Sequence, residues 1–272
     1  SNLYPQCYSR MISEGLAGVG ESASLHLVRC AWAGSQRYGA LVWSGDIPST
    51  WEALRNQVSI GQQMGMAGIP WWTTDIGGFK GGFPDDPAFR ELLTRWMQWG
   101  VFCPVMRLHG CREPQTAPLS PKGEPMLNEG APNEIWSYGE ETEKRLIRCI
   151  RTREMIRGYI RFLMDRTHET GEPLIRPLFF DFPEDPECWE KDDQHLFGPD
   201  VLVAPVLEAG AMYRMVYLPA GAEWTNMYTG EICMGGQTLT VPVTMECIPV
   251  YLRDGRHEGW IRQVRGIFDS ER

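Results

Sequence analysis

Asp46 ends the stretch ALVWSGD, in which an apolar run passes through Ser44 and Gly45 and then presents a single carboxylate. Asp75 ends a second apolar run, GIPWWTTD, while Arg29 lies in LHLVRCAW and Arg107 and His109 close VFCPVMRLHG. Charged and hydrogen-bonding groups at the ends of successive strands converge on one pocket if those strands belong to a barrel, where strand C-termini carry the chemistry. Asp46 and Asp75 are the two carboxyl groups the residues offer for glycosidic bond cleavage. That reaction needs one acid to protonate the leaving oxygen and a second carboxylate facing the anomeric carbon. Arginine and histidine donors beside Trp43, Trp71, Trp72 and Phe79 suit a sugar ring, which needs hydrogen bonds at its hydroxyls and an apolar face to stack on.

Each of these residues also has a plainer reading. Asp46 could cap the helix that follows, but Ser49-Thr50-Trp51-Glu52 fits a capping box with Ser49 as the cap, which leaves Asp46 free. Arg29 could form a surface ion pair, Asp75 could open a glycine-rich turn, and His109 could be a satisfied core histidine. Phosphate chemistry fits less well, because the sequence has no P-loop, no dinucleotide glycine motif opens a helix, and the order of GGFKGG matches neither. The glycines of that stretch instead let backbone pass close to a ligand or an adjoining loop.

The elements that must position these groups alternate. Apolar runs at 25–32, 40–46, 68–75 and 101–110 are separated by helical patterns or long loops. The segment from Trp51 has helical spacing at Leu54, Val58 and Ile60, and a second helix starts at Asp86-Pro87 and stops at Gly100. This alternation predicts a parallel sheet with helices outside. Residues 111–132 read as a long loop, and 132 to about 168 as one long helical stretch. Short Val- and Tyr-rich runs from about 178 to 255, separated by Gly and Pro, predict an antiparallel β-domain.

Composition narrows the function classes. The 272 residues are 43% hydrophobic and 22% charged, which is ordinary for a globular protein with a large core. A net charge of −9 without a Lys/Arg run argues against nucleic acid and anionic membrane surfaces. No apolar window reaches about 18 residues, which excludes a membrane-spanning helix. The eight cysteines never form C-x-x-C and the acidic cluster at 184–194 lacks calcium-loop spacing. The expectation is therefore no metal, no cofactor, reduced core thiols and a cytoplasmic location. The eleven tryptophans fit a sugar-binding cleft, although core packing explains most tryptophans in most proteins.

VRCAWAGSQRYGALVWSGD, GIPWWTTDIGGF, RWMQWGVFCPVMRLHG and PLFFDFPEDPECWEKDDQHLFGPDVLVAPV together resemble glycoside hydrolase family 31, the retaining α-glucosidases and α-xylosidases. The resemblance runs from about residue 3 to 255. It implies α/β plus β architecture: the second half of a (β/α)8 barrel over 1–176 and an antiparallel β-sandwich over 177–272. It implies that Asp46 is the general acid/base, that Arg29 donates to sugar hydroxyls, and that Trp43 and Phe79 wall the glycone subsite. Asp75, Arg107 and His109 would bind hydroxyls or order the charges around them, so Asp75 is then not the second catalytic carboxylate. The family's nucleophile is an aspartate in a K-x-D-x-x-E-like context on an earlier strand, and no such motif occurs here. The resemblance thus implies the C-terminal part of a longer α-glycosidase acting on terminal α-linked sugars of di- or oligosaccharides. The alternative is a non-catalytic carbohydrate-binding or structural partner subunit. On either reading the chain alone is expected to be inactive, and to self-associate or pair with the missing N-terminal half.

Overall fold

The computed structural model describes residues 2–21 and 25–269. A helix α1 (Leu3–Gly18) precedes three short strands, β1 (His26–Val28), β2 (Ala40–Trp43) and β3 (Trp72–Thr73). They form a parallel sheet in that order, with His26 opposite Ala40 and Val42 opposite Trp72. Helix α2 (Trp51–Met66) connects β2 to β3 and buries Leu54, Val58, Gly61 and Gly65 along one face. The glycines permit the close approach, since a Cβ on Gly65 would lie 2.4 Å from the Ile175 carbonyl oxygen and one on Gly61 3.1 Å from the Trp72 ring. The cap of α2 is Thr50, whose hydroxyl accepts from the Ala53 amide at 3.1 Å, and not Ser49 as the capping-box reading had it. Ser49 is instead drawn away, donating to the Gly81 carbonyl at 3.2 Å.

Helix α3 (Pro87–Gly100) starts as expected, with Asp86 accepting from the Ala88 amide at 2.9 Å and Pro87 in the first turn. It is buried on nearly every side from Leu92 onward, as befits a helix between two layers. The fourth apolar run, 101–110, does not form a strand. Its first residues turn off the end of α3, and Pro104 lacks the N–H a ladder needs. Even so, it lies beside β3: Thr73 Oγ1 donates to Val105 O at 2.9 Å and the Ile76 amide to Arg107 O at 3.1 Å. The helical stretch predicted over 132–168 is a 3-10 turn at Ile135–Tyr138, then α4 (Glu140–Met155) and α5 (Arg157–Thr170). The break falls at Ile156, which leaves helical geometry with ψ near 5° and buries its side chain in the core.

The antiparallel region begins slightly earlier than the sequence reading placed it. Strands β4 (Ile175–Arg176), β5 (His195–Phe197), β6 (Val201–Val203), β7 (Tyr213–Leu218), β8 (Glu223–Asn226), β9 (Ile232–Met234), β10 (Gln237–Pro242) and β11 (Val250–Arg253) follow, with a last helix α6 (Gly259–Asp269). Six of them form one sheet in the order β4-β5-β6-β11-β8-β9, and β7 pairs with β10. Alternation along β6 sets the layers. Val201 and Val203 face the core shared with α2 to α5, while Leu202 faces a second core with Val216, Leu218 and Trp224. Arg95 of α3, 1% exposed, ties the layers by donating to the Thr244 and Cys247 carbonyls at 2.7 and 3.3 Å. All eight cysteines are free thiols; Cys103, Cys149 and Cys188 are core residues, whereas Cys7 and Cys30 are exposed. No helix among the described residues is long and apolar enough to cross a membrane.

Candidate active site

At the C-terminal end of β2 the chain passes Trp43, the Ser44 amide donates to Thr73 O at 3.1 Å, and Gly45 turns at φ +75°. That conformation suits glycine and delivers Asp46 outward from the sheet end. Beyond it, Ile47 O accepts from the amides of both Phe79 and Lys80 at 2.8 and 3.1 Å, so the glycine-rich loop is fastened to the segment carrying Asp46. Gly78, at φ +77°, lies where a Cβ would come within 2.7 Å of the Ser49 backbone. Gly78 therefore lets two loops pack closely, one of the two uses the sequence suggests for these glycines, whereas Gly77 and Gly82 make room for Leu93 and Phe89 of α3.

The structure brings all seven predicted site residues together. Arg29 Nη2 lies 3.0 Å from Asp46 Oδ1. Its guanidinium carbon stands 5.3 Å from the centre of the Trp43 ring, and that of Arg107 stands 6.0 Å from the same ring. Arg107 in turn pairs with Asp75. The Phe79 and His109 rings pack with centroids 5.5 Å apart. Asp46 and Arg29 are solvent-accessible, with side chains 32% and 66% exposed, whereas the Asp75 side chain is 0% exposed. Two of the offered tryptophans lie elsewhere. Trp72 points from β3 into the core against Trp99, and Trp71 lies at the opposite end of that strand, lining a cleft with Arg37 and His168.

Burial is the main force on the inner groups. It pushes the Asp75 carboxyl up to about 6, a rise reinforced by the nearby Asp46 carboxylate and opposed by Arg107 and Arg112. The same desolvation, with the two arginines, pulls His109 below the ordinary imidazole value. His109 is therefore a neutral ring at neutral pH, able to donate one N–H and accept at the other nitrogen. An accessible carboxyl beside a cation and a flat indole can exchange a proton with a bound hydroxyl or ether oxygen. No cluster of three His, Cys, Asp or Glu side chains able to hold a metal occurs among the described residues.

The sequence profile described as glycosyl hydrolases family 31 TIM-barrel domain matches residues 1–160. The chain belongs to glycoside hydrolase family 31. The profile of the family 31 C-terminal domain matches residues 171–256, the region of the antiparallel strands. A curated α-xylosidase from Saccharolobus solfataricus is 35% identical over 254 residues, 93% of this chain and 32% of that protein. An α-xylosidase A from Aspergillus niger is 33% identical over 94% of this chain and 37% of its own length. Among solved structures, a family 31 α-xylosidase from a soil metagenome, complexed with xylose, superposes with a TM-score of 0.88 at 51% identity. That match covers 97% of this chain and 39% of that one. The chain spans about a third of the length of the curated family 31 relatives it matches.

Arg112 went unrecognised by the sequence reading. It sits in a segment rich in Pro, Gly and Glu that reads as loop, yet it is 1% exposed. No local pattern marks a buried arginine in such a stretch.

Proposed function

We propose that this chain is the acid/base-bearing part of a retaining α-glycosidase, an α-glucosidase or α-xylosidase acting on terminal α-linked sugars of di- or oligosaccharides. The observation that carries the reading is Asp46: an accessible carboxyl just past the end of β2, 3.0 Å from Arg29, whose guanidinium lies over Trp43. The xylose bound by the soil-metagenome relative supports a sugar as ligand. The three parallel strands are taken as part of the second half of a (β/α)8 barrel over 1–176, and 177–272 as a β-sandwich joined to it through β4. The eight free thiols favour a cytoplasmic location.

In the first step a carboxylate attacks the anomeric carbon, the bond to the leaving oxygen breaks, and Asp46 transfers its proton to that oxygen. In the second, the Asp46 carboxylate takes a proton from water, whose oxygen attacks the anomeric carbon and releases the first carboxylate. That attacking carboxylate is assigned to no residue of this chain. A retaining pair must stand about 5–5.5 Å apart across the sugar. Asp75 is excluded from the role by complete burial and its pairing with Arg107. Arg29 and His109 donate to hydroxyls, Trp43 and Phe79 wall the ring, and Asp75 orders Arg107 from beneath. The missing carboxylate would come from a preceding barrel segment, and the edge of β1, which no strand pairs among the described residues, is where that segment, or a second copy of this chain, would pair.

The test uses the intact parent enzyme. Asp46→Ala should lower turnover of alkyl α-glycosides by about 10²–10⁴-fold and spare the glycosylation step with a glycosyl fluoride, whose leaving group needs no proton. Equal losses on both substrates would remove Asp46 from the acid role and leave the carbohydrate-binding reading in its place.

A further inference from the structure

Arg112 lies three residues beyond His109, and its guanidinium is enclosed by the loops that leave the strand ends. Nε donates to Asn133 Oδ1 at 3.0 Å and to the Tyr138 hydroxyl at 3.3 Å. Nη1 donates to Ser49 Oγ at 3.2 Å and to Gly81 O at 3.1 Å, and Nη2 to Ile76 O at 3.2 Å. The plane rests over Phe89, 4.8 Å from the ring centre. Ser49 belongs to the segment that carries Asp46, Ile76 directly follows Asp75, and Gly81 closes the loop that carries Phe79. Asn133 completes the circuit by donating from Nδ2 to Gly110 O at 3.2 Å, next to His109.

The space for this fork is built by glycines. A Cβ on Gly110 would stand 2.7 Å from Arg112 Nη2 and 2.7 Å from Gly78 O, and one on Gly77 3.0 Å from the same nitrogen. The five acceptors are neutral, so no carboxylate among them offsets the cation locally. Its charge acts instead on Asp75 and His109, both of which it biases. Only a planar fork with five N–H donors can serve these directions at once; a lysine is a point charge with three.

We propose that Arg112 is a positioning residue of the Asp46 site, holding the loops of Asp46, Asp75 and His109 in a single register so that the acid meets the leaving oxygen. The chemical half of this statement rests on the function proposed above. Misplacing an acid by about 1 Å costs about 10²-fold in rate, which sets the expected size of the effect. Arg95 is the control, because it is equally buried and binds carbonyls of the β-domain away from the site.

In the intact parent enzyme, Arg112→Lys and Gly110→Ala should lower kcat for the alkyl α-glycoside it turns over, xyloside or glucoside, by about 10²-fold, with KM changed much less and with the matching α-glycosyl fluoride largely spared at the glycosylation step. Amide hydrogen exchange should quicken together in residues 44–50, 76–82 and 110–133. Arg95→Lys should change neither the ratio of the two substrates nor exchange in those loops. Equal losses on both substrates per folded molecule, or loop protection unchanged in both Arg112→Lys and Gly110→Ala, would overturn the proposal. A parent enzyme inactive on every α-glycoside would instead sink the proposed function. The exchange measurement would then decide alone whether Arg112 ties the loops.

Discussion

Arg29, whose guanidinium carbon stands 5.3 Å from the centre of the Trp43 ring, pairs with Asp46 at 3.0 Å, and Arg107, 6.0 Å from the same ring centre, pairs with Asp75. One indole thus adjoins both an accessible pair and a pair with a buried carboxyl. The outer pair is solvent-accessible, so it contributes little to stability, and on the proposed function a sugar hydroxyl would replace either partner. In the inner pair the Asp75 carboxyl is shut away from solvent and holds Arg107, whose side chain stays 24% exposed.

For the outer pair, Arg29→Ala should leave the folded state within about 1 kcal/mol of the native chain, as exposed pairs do. The same change should remove about 1–3 kcal/mol of transition-state stabilisation through an unpaired sugar hydroxyl. Urea unfolding and kcat/KM of the parent enzyme measure the two quantities. A stability loss that accounts for the whole activity loss would return Arg29 to a surface ion pair.

The buried pair has a pH signature. Asp75 titrates near 6 when folded and at its ordinary value of 3.8 when unfolded, so between these limits the folded chain holds more protons. Its contribution to stability therefore falls as pH rises from about 4 to 6. Asp75→Asn cannot titrate. The difference in urea midpoint between native and variant should shift in the variant's favour across that window, and a constant difference would contradict the assignment.

His195 predicts the opposite slope. The Trp99 indole, which can only donate, lies 3.1 Å from His195 Nε2, so the proton of the neutral ring sits on Nδ1 and is donated to Leu196 O at 3.1 Å. Burial pushes this imidazole down to about 4 from its ordinary 6.5. The unfolded chain holds more protons in that interval, so stability is lost as pH falls from about 6.5 towards 4. His195→Gln should be less stable at pH 7 by about 1–3 kcal/mol, from the disturbed buried hydrogen bond. Its stability should also decline less on acidification. A steeper acid decline in the variant would refute this.

Gly78 supplies a steric test. It combines φ +77° with a Cβ position 2.7 Å from backbone atoms of Pro48 and Ser49, neither of which can swing aside as a flexible side chain could. Gly78→Ala should cost about 1–3 kcal/mol from the strained conformation alone. Gly123→Ala has φ +78° and nothing within 4 Å, so it isolates the conformational part. Equal midpoints for the two variants would show that the loop contact adds nothing.

Local chemistry determined much of this protein. The Asp86-Pro87 start of α3, the strand-turn ending at Asp46 and the short β-runs after residue 178 are written in neighbouring residues, because caps, turns and period-two alternation act over a few positions. The types of Arg29, Asp46, Arg107 and His109 likewise made them the candidates on which the proposed function draws. Packing between distant segments decided the rest. Ser49 loses the cap of α2 to Thr50 because Gly81 and Arg112, both far along the chain, claim its hydroxyl. Residues 101–110 keep Arg107 beside Ile76 without a strand because contacts from β3 hold them there despite Pro104. Trp72 goes to the core and Asp75 beneath the site, although the tryptophan could have walled a sugar and the aspartate could have met it. The surface each side chain sees is set by which elements close over it. Arg112 is the extreme case, a buried five-donor hub in a segment of loop composition, since its acceptors are gathered only when three loops meet.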